Sequence, residues 1–155
     1  MSVAEHELSV TCLIDAPRAI TWKVWTDLKD EWFCPKPWRA EVVAEELRAG
    51  GRSAIRMTGP NGEDTGVMEG LILEVVPGER VVSTDAYAAG WVPQGPFMTS
   101  IWSFADEGEG TRFIATARHW TAEAKAQHEE MGFHPGWDQM MAQFKALCET
   151  SAASA

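Results

Sequence analysis

The residue of this sequence best suited to chemistry is a histidine at the end of a strand-like segment. His119 lies in residues 111–120 and shares a face with Phe113, because alternate residues of a strand point to the same side. An inward-facing imidazole there could bond a ligand or, beside a carboxylate, act as the base of an isomerase or cyclase. The alternative is a structural histidine whose nitrogens bond backbone or water.

The other histidines give no metal motif. Residues 128–132 read HEEMG, whereas the zinc motif HExxH requires a histidine where Gly132 stands. His128 and His134 are six residues apart and do not share a helical face. We therefore expect both to be solvated or structural, and we predict no metal. Wide spacing without a CxxC pair predicts free thiols at Cys12, Cys34 and Cys148.

The charged residues define no catalytic set either. Glu69 and Glu74 stand five apart in one predicted strand, so they face opposite sides unless Gly70 hosts a bulge. Parity places Arg56 and Arg118 on the face opposite the core. The sequence has no nucleophile elbow, phosphate-binding loop or dinucleotide fingerprint. We predict no catalytic residue and no cofactor, and we leave enzymatic activity open.

A long C-terminal helix, residues 121–149, is predicted to organise the chain. Thr121 is its expected N-cap. Its second half carries an apolar stripe at helical spacing, which needs a sheet to cover it. The stripe consists of Met131, Phe133, Trp137, Met140, Met141, Phe144 and Leu147.

Seven segments between turn signals have the alternating or β-branched pattern of strands. They are residues 7–15, 39–47, 52–58, 65–76, 80–86, 97–105 and 111–120. Residues 15–27 are predicted as a helix with Asp15 as N-cap and Pro17 in the first turn, and residues 28–33 as a further short helix. Residues 87–96, with two glycines and two prolines, are predicted to be irregular.

Sequential hairpins make an antiparallel sheet, and the long helix must lie across it. We therefore predict an α+β fold, a curved antiparallel sheet of six to seven strands wrapped around the C-terminal helix. Two short helices lie between the first and second strands. Residues 1–155 are expected to form a single domain, with a core of about 7–149 and a frayed tail at 150–155. The space between sheet and helix can then be a cavity.

The composition argues against some partners. Net charge is −10, from 13 basic and 23 acidic residues, which disfavours nucleic acid and an anionic membrane surface. No signal peptide or membrane-spanning run is visible, so we expect a cytoplasmic protein. Eight tryptophans against one tyrosine suit pocket walls as well as cores, and the surplus also suggests a homodimer.

Several stretches resemble one known family. IDAPRAITWKVWTD, ELRAGGRSAIRMTGPNGE and MGFHPGWDQMMAQF resemble the START-like SRPBCC superfamily, in its branch of bacterial homologues of the activator of the ninety-kilodalton heat-shock protein ATPase. WFCP, LEVVPGERVVST and GTRFIATAR continue the resemblance in the same order, over residues 8–147. The resemblance implies a helix-grip fold around a hydrophobic ligand cavity. It implies no catalytic residues, because the family shares none.

If the sheet wraps the helix, alternation assigns side chains to the cavity wall. The predicted wall consists of Met57, Met68, Trp102, Phe104, Phe113, Trp137 and Met141, with His119 as its polar group and Trp32, Phe33 and Trp91 near the mouth. The alternative for each residue is ordinary core packing.

The resulting expectation is a carrier, sensor or resistance protein for a small hydrophobic molecule. One alternative is a chaperone ATPase-regulating module that binds another protein. The sequence lacks the second domain that the eukaryotic cochaperone resemblance implies, which makes a chaperone partner the lesser expectation. Another alternative is a cyclase or isomerase that acts on the bound ligand. Superfamily relatives bind lipids, hormones or polyketides, so the resemblance leaves the ligand open.

Overall fold

Nine strands and four α-helices occur in residues 3–154, which the structure, a computed structural model, describes. The strands are β1 (Glu7–Ile14), β2 (Arg39–Glu45), β3 (Arg52–Thr58), β4 (Asp64–Val76), β5 (Arg80–Thr84), β6 (Tyr87–Ala88), β7 (Val92–Pro93), β8 (Met98–Glu107) and β9 (Gly110–His119). The helices are α1 (Arg18–Asp27), α2 (Lys29–Trp32), α3 (Ala122–Glu130) and α4 (Phe133–Ala153). A 3-10 helix, Val3–His6, precedes β1.

Seven of the strands form one sheet in the order β1-β9-β8-β5-β4-β3-β2. All neighbours in this sheet are antiparallel. The first two strands of the chain are therefore its two edges, and α1 and α2 connect one edge to the other. Together with the long C-terminal helix, this arrangement confirms the predicted α+β fold. The segment predicted to be irregular, residues 87–96, contains the small β6–β7 hairpin.

The core face of the sheet follows the alternation of the sequence. In β9, Phe113, Ala115 and Ala117 are buried, and the residues between them are more exposed. His119 continues this series and is only 5% exposed, so it faces the core side of the sheet.

Gly70 does not host the bulge that was considered for it. It pairs regularly with Ser53 of β3, and the irregularities in β4 lie at Leu73 and between Asp64 and Val67 instead. A side chain at position 70 would meet the carbonyl oxygen of Thr84 at 3.0 Å. Glycine is therefore required here for the close approach of two backbones rather than for a bend.

The two carboxylates of β4 each bond an arginine and do not form a pair. The guanidinium of Arg52 donates two hydrogen bonds to Glu69, at 2.9 and 2.7 Å. Glu74 is paired with Arg80. Hydrogen bonding to Arg52 lowers the pKa of Glu69, so this carboxylate is charged at neutral pH and is not a general acid.

The first helix begins later than the sequence suggested. Pro17, not Asp15, occupies the N-cap position of α1. The carbonyl of Pro17 accepts the backbone N–H groups of Ile20 and Thr21, at 2.9 and 3.1 Å. Proline disfavours helical geometry in the residue before it, which delays the start of the helix. The backbone N–H of Asp15 instead donates to the Glu149 carboxylate of α4 at 2.8 Å.

The helix predicted over residues 121–149 is two helices, because the chain breaks at Met131 and Gly132. Thr121 caps α3 as predicted, and its side chain accepts a backbone N–H at 3.0 Å. Gly132 has a φ of 93°, the left-handed geometry typical of helix ends. Pro135 lacks the N–H that a continuous helix would need to bond the Met131 carbonyl. The break leaves Met131 70% exposed, so its assignment to the buried stripe was wrong.

The last helix is longer than predicted and packs on only part of the sheet. It continues to Ala153, so the tail expected to fray from residue 150 is helical up to that point; Met1, Ser2 and Ala155 lie outside the described residues. It packs against β1 and α1. Its buried side chains are Phe133, Met140, Met141, Phe144 and Cys148. None of the helices in residues 3–154 combines the length and apolar character needed to cross a membrane.

Phe144 joins α4 to a set of rings that we call the aromatic cluster. Its ring centroid lies 4.6 Å from those of both Trp32 and Phe113. Phe104 lies 4.9 Å from Phe113, and Trp102 lies 6.1 Å from Trp32. These rings are at most 5% exposed, so this half of the interior is solid. The aromatic cluster consists of Trp25, Trp32, Trp102, Phe104, Phe113 and Phe144.

We expect Phe144→Ala to lower the free energy of unfolding by about 3–5 kcal/mol, because it opens a void among rings that cannot collapse into it. Urea unfolding followed by far-UV circular dichroism measures the change. Met131→Ala is the matched control on an exposed side chain, and we expect its effect to stay within about 0.5 kcal/mol. A loss below about 1 kcal/mol for Phe144→Ala would show that the cluster does not hold α4 in place.

Candidate functional site

A cavity of about 720 Å³ lies between the start of α4 and the strands β3, β4, β5 and β8. We call it the outer cavity, because Val67 and Met68 on its wall are 46% and 38% exposed. Its wall is largely apolar. The main apolar contributors are Ile55, Met57, Met68, Phe97, Met98, Trp102, Trp137 and Met140.

A smaller space of about 90 Å³, the inner cavity, adjoins the outer cavity. Trp102 and Trp137 border both, and they stack there with centroids 5.5 Å apart and planes 6° from parallel. Other residues common to both cavities are Phe33, Ser53, Ile55, Ser83, Met98 and Ser100. Trp25, Lys29 and Glu45 border the inner cavity but not the outer cavity.

Several polar groups of the outer cavity are already bonded within the protein. One oxygen of Asp85 accepts two backbone N–H groups, at 2.9 and 3.3 Å. The side-chain amide of Gln94 donates to two backbone carbonyls, at 3.0 and 3.1 Å. The hydroxyls of Ser83 and Ser100 bond each other at 2.7 Å. These bonds use the donors of Gln94 and one oxygen of Asp85, and they leave Oδ2 of Asp85 and Oε1 of Gln94 outside every hydrogen bond within residues 3–154.

Two histidines form a hydrogen-bonded pair at the outer cavity. His128 is part of the wall, and His119 lies behind it. Nδ1 of His119 lies 2.8 Å from the backbone carbonyl of His6, which can only accept, so this nitrogen donates. Nε2 of His119 lies 2.8 Å from Nδ1 of His128. In a neutral His119 this Nε2 accepts, so Nδ1 of His128 is the donor. Within residues 3–154 no three histidine, cysteine or acidic side chains come together as metal ligands.

This chain of bonds leaves His128 with an unprotonated Nε2. Burial and the neighbouring His119 lower the pKa of His128 to about 4, so the ring is neutral at neutral pH. The rings of Phe97 and Phe133 lie 5.3 and 5.0 Å from it, and Trp137 lies 5.8 Å away. His128 borders the outer cavity and is 9% exposed. It therefore offers a hydrogen-bond acceptor in an aromatic environment.

The structure brings together only part of the predicted wall. Phe33, Met57, Met68, Trp102 and Trp137 border the outer cavity. Trp32, Phe104, Phe113 and Met141 are buried in the solid half of the interior and border neither cavity, because alternation identifies the inner face but not the position along it.

The two remaining predicted residues lie elsewhere. Trp91 is 69% exposed in the β6–β7 hairpin, where its ring lies beside Gly50 rather than at the cavity mouth. His119 lies one hydrogen bond behind His128, and both of its nitrogens are used within the protein. The isomerase alternative required His119 beside a carboxylate, and the partners of its ring are a carbonyl and another imidazole.

Sequence reasoning missed His128, Lys29 and Glu45 as cavity residues. His128 was expected to be solvated or structural, and it was compared with the zinc motif and with His134 but not with His119. The useful signal was the strand-to-helix turn at Thr121, which folds residue 128 back onto residue 119. Lys29 and Glu45 gave no signal, because charged residues in short amphipathic elements are normally solvated.

A seven-stranded antiparallel sheet with a long C-terminal helix and a cavity between them defines the helix-grip class of START-like proteins. Solved structures agree with this class. A protein from Nitrosomonas europaea is 33% identical with a TM-score of 0.90, and the match covers 97% of this chain and 98% of that one. A protein from Mycobacterium smegmatis is 27% identical with a TM-score of 0.78, covering 94% and 92%.

The family follows from the sequence match. The model of the family described as Activator of Hsp90 ATPase homolog 1-like protein matches residues 15–149, and the chain belongs to this family. The resemblance inferred from sequence motifs is thereby confirmed. An AHSA1-like protein from Aeromonas hydrophila shares the fold, with 19% identity, a TM-score of 0.70 and coverage of 94% and 93%. Among proteins of curated function, none matches this chain.

We expect the folded protein to lose stability as the pH falls from about 6.5 to about 4, because the unfolded chain binds a proton at His128 that the folded protein does not. One pKa unit corresponds to about 1.4 kcal/mol, so the loss across this window is on the order of 3 kcal/mol. Above pH 6.5 this contribution does not change. Urea unfolding at a series of pH values measures it.

His128→Asn should remove this part of the pH dependence, since the amide keeps a donor near His119 and does not titrate. The matched control is His134→Asn, which changes an exposed histidine and should keep the wild-type slope between pH 4.5 and 6.5. Equal slopes for wild type and His128→Asn would show that His128 is not held neutral by its surroundings.

Proposed function

We propose that this protein binds a small, largely apolar molecule in the outer cavity and acts as its carrier, sensor or sequestering protein. The observation that carries the proposal is the volume of about 720 Å³ behind a mostly apolar wall. Ligand sites of proteins typically occupy about 300–1,000 Å³.

The composition of the wall supports an adaptable site for an apolar molecule. Met57, Met68, Met98 and Met140 supply flexible and polarisable side chains that adjust to irregular shapes. Trp137 presents a flat ring that is only partly buried and is already stacked on Trp102. A planar apolar ligand can extend this stack without disturbing the aromatic cluster.

The polar groups of the wall favour a ligand with one hydrogen-bond donor. Asp85, Gln94, Ser83 and Ser100 already bond protein groups. Nε2 of His128 is an open acceptor at the outer cavity, since no hydrogen bond within residues 3–154 uses it. Oδ2 of Asp85 and Oε1 of Gln94 are further acceptors of this wall that no hydrogen bond within those residues uses. An O–H or N–H group on the ligand would orient it there, and the apolar body would lie against the tryptophans.

A neutral fluorophore with one N–H group, N-phenyl-1-naphthylamine, tests this site directly. We expect fluorescence enhancement on binding, and we expect Gly136→Met to weaken binding at least tenfold. Gly136 borders the outer cavity, and the nearest atom to a side chain there would be Pro35 Cγ at 4.0 Å, so methionine can occupy the mouth without displacing a neighbour. Methionine also suits a helix better than glycine.

The matched control is Ala142→Met, which adds the same side chain on an exposed position of α4. It should leave the affinity for the fluorophore unchanged. Equal binding by the two variants would contradict the site. Native mass spectrometry of the freshly purified protein gives an independent test, because a co-purifying apolar molecule should be absent from Gly136→Met. A protein that is empty and binds no fluorophore would instead favour the alternative of a protein-interaction module.

A further inference from the structure

A buried ion pair lies on the wall of the inner cavity. Binding of an apolar molecule would not require such a pair. The ammonium of Lys29, on α2, contacts the carboxylate of Glu45, on β2. The two side chains are only 9% and 10% exposed. The ammonium also lies 3.6 Å from the ring centroid of Trp25 and 5.8 Å from that of Phe33. Burial lowers the pKa of Lys29, which the neighbouring Glu45 partly opposes.

A purely structural role explains this pair poorly. Removing two charges from water is costly, and well-packed apolar residues of similar size usually stabilise a protein as well or better. If the pair only held α2 against β2, its position beside a cavity would have no explanation. Lys29 and Glu45 both border the inner cavity of about 90 Å³. The pair therefore lies beside a space whose lining is partly shared with the outer cavity.

The wall of the inner cavity has hydrogen-bond donors without acceptors. An ammonium has three N–H groups, and Nζ of Lys29 makes only the bond to Glu45 among residues 3–154. The indole N–H of Trp25 is buried and has no hydrogen-bond partner in the same part of the chain. Trp25 borders the inner cavity beside Lys29. The wall also holds the oxygens of Glu45, Ser53, Ser83 and Ser100, yet the indole N–H of Trp25 and two N–H groups of the Lys29 ammonium have no acceptor within residues 3–154.

We propose that the inner cavity binds a neutral oxygen acceptor of the ligand, the carbonyl group of a ketone, ester or amide, through Nζ of Lys29. Trp25, whose ring the ammonium contacts, borders the same space, and Glu45 positions the ammonium. This assignment rests on the proposed binding of an apolar molecule in the outer cavity, and it names the chemical class of that molecule.

The charge of the pair selects a neutral acceptor over a carboxylate. Lys29 and Glu45 together carry no net charge, so a carboxylate would bring an uncompensated negative charge into a buried site next to Glu45. A carbonyl oxygen accepts a charge-assisted hydrogen bond without adding charge. The volume of about 90 Å³ accommodates such a group and a few attached carbons, and the rest of the molecule lies in the outer cavity.

The test uses two probes of the same shape, 2-acetylnaphthalene and 2-isopropenylnaphthalene. The second probe has a CH₂ group where the first has the carbonyl oxygen. Isothermal titration calorimetry gives the ratio of their affinities for each protein, which cancels differences in apolar burial. The variant Lys29→Met with Glu45→Met removes both charges and leaves no unpaired one, so it should fold. We expect the preference for the ketone to fall about tenfold in this variant.

The control replaces an exposed ion pair, Arg80→Met with Glu74→Met, and should keep the wild-type preference. If both probes bind and the ratio is the same in all three proteins, the carbonyl assignment is wrong and the apolar site remains. If neither probe binds the wild-type protein, the proposed function fails together with this assignment. Tighter binding of 2-naphthoate than of the ketone at pH 8 would also overturn the assignment, in favour of an anionic group.

A second measurement needs only the wild-type protein. The infrared carbonyl stretch of bound 2-acetylnaphthalene should lie at a lower frequency than in hexane, because a hydrogen bond from an ammonium weakens the C=O bond. A frequency equal to that in hexane would exclude a hydrogen bond to Lys29, whether or not the double variant folds.

Discussion

The packing of Phe144 against Trp32 and Phe113 is the contact on which the rest of this structure depends. It holds α4 against β1 and α1, at one side of the sheet. A helix held there cannot also cover β3, β4 and β5, because a helix covers only a few neighbouring strands. The uncovered part of the sheet, facing the first turns of α4, is the wall of the outer cavity. The position of α4 on the sheet therefore explains both the solid core and the outer cavity.

Much of this arrangement could be predicted from the sequence, because strand alternation and turn residues act locally. The alternation of β9 placed Phe113 and His119 on the inner face, and Thr121 marked the next helix correctly. The break at Gly132 was missed because the apolar stripe continues across it. The decisive feature was Pro135, whose missing N–H forbids a continuous helix there although the spacing of its neighbours remains helical.

The site was predicted less well than the fold, for a physical reason. Periodicity tells which face of a strand is buried, but a buried face passes from solid core to cavity along its length. Phe104 and Trp102 share a face of β8, yet only Trp102 reaches the cavities. The positions of the polar groups depend on contacts between elements that are distant in the sequence. His128 is placed by the contact of α3 with β9, and Lys29 by the contact of α2 with β2. No local pattern records such contacts.

The inner cavity concentrates two unfavourable features at one place, and this coincidence needs a cause. A space of about 90 Å³ gives the side chains around it fewer packing contacts than a solid core would. The buried Lys29–Glu45 pair adds a desolvation penalty beside it. Bulkier apolar side chains at these two positions would occupy part of the space and remove the charges at once. A protein that keeps both features forgoes stability that is easily gained, and a bound molecule that fills the space and bonds the ammonium would restore it.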